Sequence, residues 1–438
     1  RQRTSARVRG KRISMARTLV PNYLVTEFNK ILDKKYFSEE LDLVRKKAFD
    51  NFTDIGLPNR NLEGWRHTNL SSIKKNDFRV TEINDGPKEK VDLSQYGFES
   101  FHTIVMYNGH FQQNLSSLPK GIELLSNLEY LKQKDRAISQ PDKTPFDLLN
   151  TAFMDDGICI VVGQGIEITA PLRVLFISSG DQKLMTSPRV YIDLKRSSSI
   201  TLLEQHVGEC GGHLLNESMI INIDDNARLD HVRIQNNSKT TINMGNLHVK
   251  QQRDSNYTFV QFAKGGELGR MNIFADLAGG GASSSINGLS LSNKSQHLDV
   301  NIVTNHHAPN CNSGQNFKSI LKDHSSGVFN GRTVVHNGAE KTDSNQSNKN
   351  LLLSKNALMN SNPQLEIYTD DVKCSHGSTT GALQKDALFY IRSRGIDMES
   401  ATSLLVHGFA SEIIESVEND KIRDQIIKYF NKWLEIHN

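Results

Sequence analysis

Between Pro171 and His376 the chain repeats one pattern, a short alternating apolar run followed by a cluster of small polar residues. The runs include RVYIDL, SITLLEQ, SMIINI, RLDHVRIQ, YTFVQF and MNIFADL; the clusters include KRSSS, DDNA, RDSN, GGGASSS, DHSSG and HNGAEK. Alternation at period two marks strands with one face in a core. The strand after each cluster begins at about Ile200, Leu229, Thr258 and Ile286, a period of roughly 29 residues. Helical periodicity is nearly absent, and Pro309 and Pro363 are the only prolines from Val190 to Gln364.

This pattern predicts a stacked β-solenoid. Each rung leaves open edges that the next rung's hydrogen bonds satisfy, and inward side chains stack into columns. Few Asn-Gly or Asp-Gly turns separate the runs, which weighs against a sandwich of hairpins. The stretch NIVTNHHAPNCNSGQ reads as an insertion that delays the next strand to about Val328.

The flanks differ. The opening RQRTSARVRGKRISMARTLV is rich in Arg, lacks acid and has no apolar stretch behind it, so it is no secretory signal. It reads as sequence upstream of a start at Met15 or as an organelle transit peptide, and residues 1–22 are expected to be a basic tail without order. Residues 23–170 read as a helical and mixed region. Its first part, Tyr23 to Phe52, carries apolar residues at helical spacing and breaks at Gly56 and Pro58. Residues 171–376 form the repeat. Residues 377–438 return to helical periodicity, with Asp397 as an N-cap and an apolar stripe from Ala401 to Val417. This helical end is expected to cover the last open edge of the solenoid.

Composition narrows the function. In 438 residues Lys and Arg total 52 against 49 Asp and Glu, which gives no basic field for nucleic acid. The longest apolar runs are too short to cross a bilayer. Cys159, Cys210, Cys311 and Cys374 are scattered with no C-x-x-C, which predicts reduced thiols in a cytosol-like compartment. The glycine clusters KGGELG and AGGGASSS lack the Gly-Lys-Ser/Thr of a phosphate loop. H-E-x-x-H and G-x-S-x-G are absent too.

Two stretches hold chemistry-bearing residues. In DVKCSHGSTTG, Cys374 and His376 are two apart, so on a strand they face one side. They could converge on one ion or reactive sulfur, with a partner chain supplying further ligands. Alternatively Cys374 is a packed thiol and His376 a turn residue. HHAPNC offers His306, His307 and Cys311 in a loop-like setting. A solenoid could also be a carbohydrate-active enzyme, for which Asp224–Asp225 and Asp370–Asp371 are the adjacent acidic pairs, though Asp beside a strand end usually makes a turn.

The block from GVFNGRTVVHNGAEKTDSNQSNKNLLLSKNALMN through PQLEIYTDDVKCSHGSTTG to ALFYIRSRGI closely resembles the SufB/SufD family of the Suf iron–sulfur cluster assembly system, and within it the SufD branch. EGWRHTNL, YNGHF and LLVHGFASEII add support. The resemblance runs from Met15 to the end. It implies a right-handed parallel β-helix between N-terminal and C-terminal helical domains. It also implies a non-catalytic scaffold that pairs with SufB, binds the ATPase SufC and supports a transient cluster at the SufB interface. A homodimer in isolation and reduced flavin in the complex are further implications, with no flavin residue mapped. His376 matches the family's cluster-associated histidine, and Cys374 its neighbour. Leu405, Gly408, Phe409 and Ile413 are the SufC-docking candidates. A SufB-like paralogue would carry a motif resembling CGAH in place of CSHG. The expected compartment is the cytoplasm, or a plastid if the basic N-terminus is a transit peptide.

Overall fold

A computed structural model describes residues 20–33, 39–82, 85–132, 143–154, 157–181, 183–208 and 211–435. The tail expected over 1–22 lies almost wholly outside these residues, and so does Cys210. The chain is mainly β, a solenoid of about eight turns flanked by helices. Each turn places one strand in each of two facing sheets. Successive strands of the second sheet are Glu167–Ile177, Ser199–Val207, Arg228–Gln235, Asn256–Ala263, Ser283–Ser292, Asn312–Leu321, Thr342–Leu352 and Val372–Gly381, all paired in parallel. The first sheet alternates with it and ends at Leu358–Ile367. Among the described residues antiparallel neighbours, which hairpins would require, occur only at the opposite end, in His102–Tyr107 with His110–Phe111 and in Ile122–Ser126 with Gly157–Val162.

The polar clusters are the corners. One residue at each, Gly165, Ser197, Asn226, Asp254, Gly281, Asn310 and Lys341, has φ between +56° and +77°. Glycine adopts that region freely, and Asn and Asp tolerate it better than most residues. Each of these N–H groups also donates to the next corner's carbonyl, as Asn226 does to Arg253 at 2.9 Å and Asp254 to Gly280 at 3.0 Å. The ladder therefore continues around the bend.

The segment NIVTNHHAPNCNSGQ is no insertion. It forms a full rung, with strands His297–His306 and Asn312–Leu321 around the corner at Asn310. Its inward positions include Thr304, His306, Ser313 and Gln315, so apolar alternation fails where the strand itself persists.

Inward columns give the core. In the first sheet Ile158, Val190, Met219, Leu247, Ile273 and Ile302 stack in register. A neighbouring column runs Ile160, Ile192, Ile221, Val249 and Ala275, then turns polar at Thr304 and Thr333. Helices cover both outer faces. Asn22–Asp33, Glu39–Ile55 and Pro145–Phe153 pack Phe28, Phe49, Phe52 and Phe153 into one cluster with Met185, Leu214, Ile242 and Leu268 on the first sheet. Met398–Glu415 and Asp420–Glu435 pack Val406, Ile413, Ile422 and Phe430 against Leu203, Ile234, Phe262 and Ile320 on the second. The C-terminal helices thus lie on a face and do not cover the last edge as expected. Their apolar stripe matches the outward residues of consecutive strands, a surface that extends along the stack and is absent from a single edge.

Within the apolar interior sits one ionic network. Glu204 accepts hydrogen bonds from Arg233 at 2.7 Å and from His231 at 3.1 Å. His206 lies 2.5 Å from Glu204, Arg233 also bonds Glu217, and His231 meets the Tyr257 hydroxyl at 3.1 Å. Burial would raise the Glu204 carboxyl, but the Arg233 charge and the two imidazoles hold it well below the usual range. A buried charge stripped of its partner is costly. Arg233→Met takes from two buried carboxylates the guanidinium they share and should lower stability by about 3–5 kcal/mol in denaturant titrations. A loss below about 1 kcal/mol would show the network to be energetically idle.

Burial, with His307 and His336 nearby, pushes the His306 pKa down to about 4. The unfolded chain therefore binds this proton near pH 6.5 while the folded chain refuses it until about 4. Stability from this group is complete above pH 6.5 and declines as pH falls toward 4, by about 3 kcal/mol at full effect. His306→Gln should flatten the stability profile by close to one proton in that window. An unchanged slope would place the titration elsewhere.

Candidate functional site

The strand Val372–Gly381 ends the second sheet, and the register sets Cys374 opposite Ser344 and His376 opposite Gln346. Both residues continue inward columns. The His376 column descends through Gln346, Gln315, Ile286, Phe259, His231 and Leu202. The Cys374 column descends through Ser344, Ser313 and Ser284 to Tyr257. The spacing argument holds: the two lie on one face of one strand, about 6.7 Å apart along it. Because no rung follows, His376 is exposed and Cys374 half-buried.

Beneath them the interior is polar. Gln346 donates to Gln315 at 3.2 Å and to Thr333 at 3.1 Å, and Gln315 donates to Thr304 at 3.0 Å. Ser313 and Ser344 hydroxyls meet at 2.9 Å, and Ser313 also meets His306 at 2.8 Å. Ser378, on the last rung, donates to Ser361 at 2.8 Å, which donates to Asn348 at 2.7 Å. These amides and hydroxyls hold the His376 end, with Phe317, Phe329 and the half-buried Met359 packed alongside. Burial and the Asp343 charge raise the Cys374 thiol, against a bond from the Ser344 backbone, so it stays protonated at neutral pH. A metal at this position would have to displace that proton. Imidazole nitrogen and thiol sulfur are both donor types that iron accepts.

The other candidates are distributed differently. His306 faces inward onto Ser313, His307 stacks on His336 with centroids 4.4 Å apart, and the buried Cys311 thiol donates to the Gly279 carbonyl at 3.3 Å. The HHAPNC residues therefore point three ways. On the helix Met398–Glu415, Ile413 is buried against the second sheet. Phe409 is half-buried there under the Lys318 ammonium, Leu405 is half-buried, and Gly408 is exposed. Exposed apolar side chains of the C-terminal region include Phe389, 75% exposed, and Tyr390 on a further helix, Lys385–Ser393, with Met398 and Leu404, 56% exposed, on Met398–Glu415. Asp225 pairs with Arg253 at a corner, 3.4 Å apart. Cys311 and Cys374 are free thiols.

Sequence reasoning missed the interior network. Its signal was present as charges at inward phase, Glu204 and His206 in TLLEQHV and His231 and Arg233 in LDHVRIQ. Glu204, His206 and Glu217 bring ligand atoms within 4.8 Å of one another, as a metal site would. Arg233 already takes an oxygen of each carboxylate, however. His206 Nδ1 also finds no hydrogen-bond partner among the described residues, whereas a metal-bound imidazole places its other N–H on an acceptor. The group is an internal ion network.

No helix among the described residues is long and apolar enough to cross a membrane. Residues 176–409 match the family model for the SUF system FeS cluster assembly SufBD core domain, and residues 22–174 match that for the SufBD protein N-terminal region. The iron-sulfur cluster assembly protein SufD of Escherichia coli is 29% identical over 379 residues, covering 85% of this chain and 88% of its own. Protein ABCI7, chloroplastic, of Arabidopsis thaliana is 30% identical over 406 residues, covering 88% and 84%. With its two-sheet solenoid, flanking helices and matched domains, the chain belongs to the SufBD family of iron–sulfur cluster assembly proteins.

Proposed function

We propose that this chain is a non-catalytic scaffold subunit that pairs through its open last rung with a SufB-like solenoid, carries a SufC-like ATPase on its C-terminal helices, and helps hold an iron–sulfur cluster as cargo. The observation that carries this reading is the asymmetry of the two ends. Antiparallel strands close one end, while Leu358–Ile367 and Val372–Gly381 leave unpaired edges at the other. An open strand edge is a template for another chain. Leu358, Ile367 and Tyr368, 57%, 42% and 57% exposed, give this rim apolar anchors. His376 and Cys374 open onto the same rim and would share the cargo with ligands from the partner. Without a SufB-like partner the same edge would pair two copies of this chain. Its work is placed in the cytoplasm, or in a plastid as for the chloroplastic relative.

His376→Ala should fold and still co-purify anaerobically with SufB-like and SufC-like partners, because the lost side chain packs against little. Iron and sulfide in the complex should fall severalfold, and Cys374→Ala should lower them less. Leu358→Asp with Ile367→Asp should abolish the SufB-like pairing while circular dichroism stays unchanged. Phe389→Asp with Leu404→Asp should release only the ATPase. Full cluster loading by His376→Ala would reduce that residue to structure, and intact pairing by the rim variant would move the interface.

A further inference from the structure

The ends of four consecutive second-sheet strands, with the last helix, enclose a groove of about 1050 Å³ well away from the open rim. Ser178, Gly208, Asn236 and Lys264 each directly follow one of these strands, so they succeed one another at about 4.8 Å intervals up the wall. Tyr429 and Lys432 of the helix Asp420–Glu435 form the opposite side, and Lys239 closes the corner.

Three ammonium groups, Lys239, Lys264 and Lys432, therefore share one concavity, and Asp181 is the one carboxylate among its described lining residues. The adjoining groove sets Arg79, Lys88 and Lys90 against Glu82, Asp85, Glu89, Asp92 and Asp181, so carboxylates outnumber cations there, and Arg79 is held to Asp85 at 2.8 Å. In the lysine groove the half-buried Lys264 ammonium has no ion pair or hydrogen-bond acceptor among the described residues, and its one recorded contact is the Tyr429 ring, 5.2 Å to centroid. Burial pushes its pKa down to about 8, with repulsion from Lys432 and Lys239 adding to the fall. Asp181 is not among the charges that act on it. A partly desolvated cation beside two like charges costs free energy unless an anion supplies the missing acceptors.

We propose that this groove binds a small phosphate-bearing anion, with Lys264 as the buried anchor and Lys239 and Lys432 as the rim contacts. Phosphate oxygens would meet three donors from separate elements and relieve the repulsion among them. The binding would be independent of His376 and of partner pairing, so it stands or falls apart from the scaffold reading.

The test uses the full chain and sodium pyrophosphate, with sodium chloride at matched ionic strength as control. Calorimetry should show one site in the wild type. Lys264→Gln should weaken it about tenfold or more, the loss of one charge-assisted contact. Exposed Lys432→Gln, which cannot disturb folding through packing, should weaken it by a smaller factor. Thermal unfolding adds a second readout. Lys264→Gln should raise the Tm without pyrophosphate, because it removes an unpaired desolvated charge, and should abolish the Tm increase that pyrophosphate gives the wild type. Equal Tm shifts from pyrophosphate and chloride, or equal affinity in wild type and both variants, would overturn the assignment.

Discussion

Everything in this fold depends on parallel strand pairing around a closed turn. A parallel ladder satisfies its backbone groups only through the rung before and the rung after, so the structure has a direction and two ends. The corner residues extend that rule beyond the strands, since the N–H groups of Asn226, Asp254 and Asn310 donate to the next corner at 2.9–3.0 Å. At the N-terminal end the chain folds back antiparallel through His110–Phe111 and Ile122–Ser126 and closes both sheets. At the far end nothing among the described residues does so. The open edge follows from topology, because the C-terminal helices spend their apolar faces on Leu203, Ile234, Phe262 and Ile320.

The interior changes character along that direction. Aliphatic columns from Ile158 and Ile160 stabilise the first rungs by burial of apolar area. From about Thr304 onward Thr, Ser, Gln and Asn join Phe317 and Phe329 at the inward positions, and Thr304, Gln315, Thr333 and Gln346 are linked to one another by hydrogen bonds. A satisfied polar network fixes side-chain positions more narrowly than aliphatic packing does. It also costs little where water reaches the last rung. The rungs that position His376 and Cys374 are therefore ordered by directional bonds, as a site that must present donors at a rim requires.

Much of this was legible in the sequence, for physical reasons. The corners carry Asp, Asn, Ser and Gly because a bend at positive φ tolerates few other residues, so the period near 29 was readable directly. Gly56 stops its helix where expected, with a φ of 68°. The misreading of NIVTNHHAPNCNSGQ had one cause: its inward residues are polar, so the hydrophobic pattern vanished while the backbone pattern continued. The same cause hid Glu204 and Arg233, which look like surface charges unless strand phase is tracked from Ile200 and Leu229. Cys374 and His376 were found from their spacing, but their exposure was not. That depends on the absence of a following rung, a property of the whole chain.

The placement of the helices links these levels. Helices on the outer faces of both sheets leave a solenoid two ways to meet another chain, along its corners or at its end. The corners are narrow and polar, and the widest concavity described along them collects lysines and suits a small anion. The end offers two adjacent strand edges, apolar anchors at Leu358, Ile367 and Tyr368, and the imidazole of His376 at the mouth of a hydrogen-bonded interior. Backbone edges supply affinity and the side chains between them supply chemistry. A second parallel solenoid is the partner shape that satisfies both edges together, since it alone presents two strands at the same separation. On the proposed reading the cargo would sit where the two chains meet, and each chain would supply part of the ligand set.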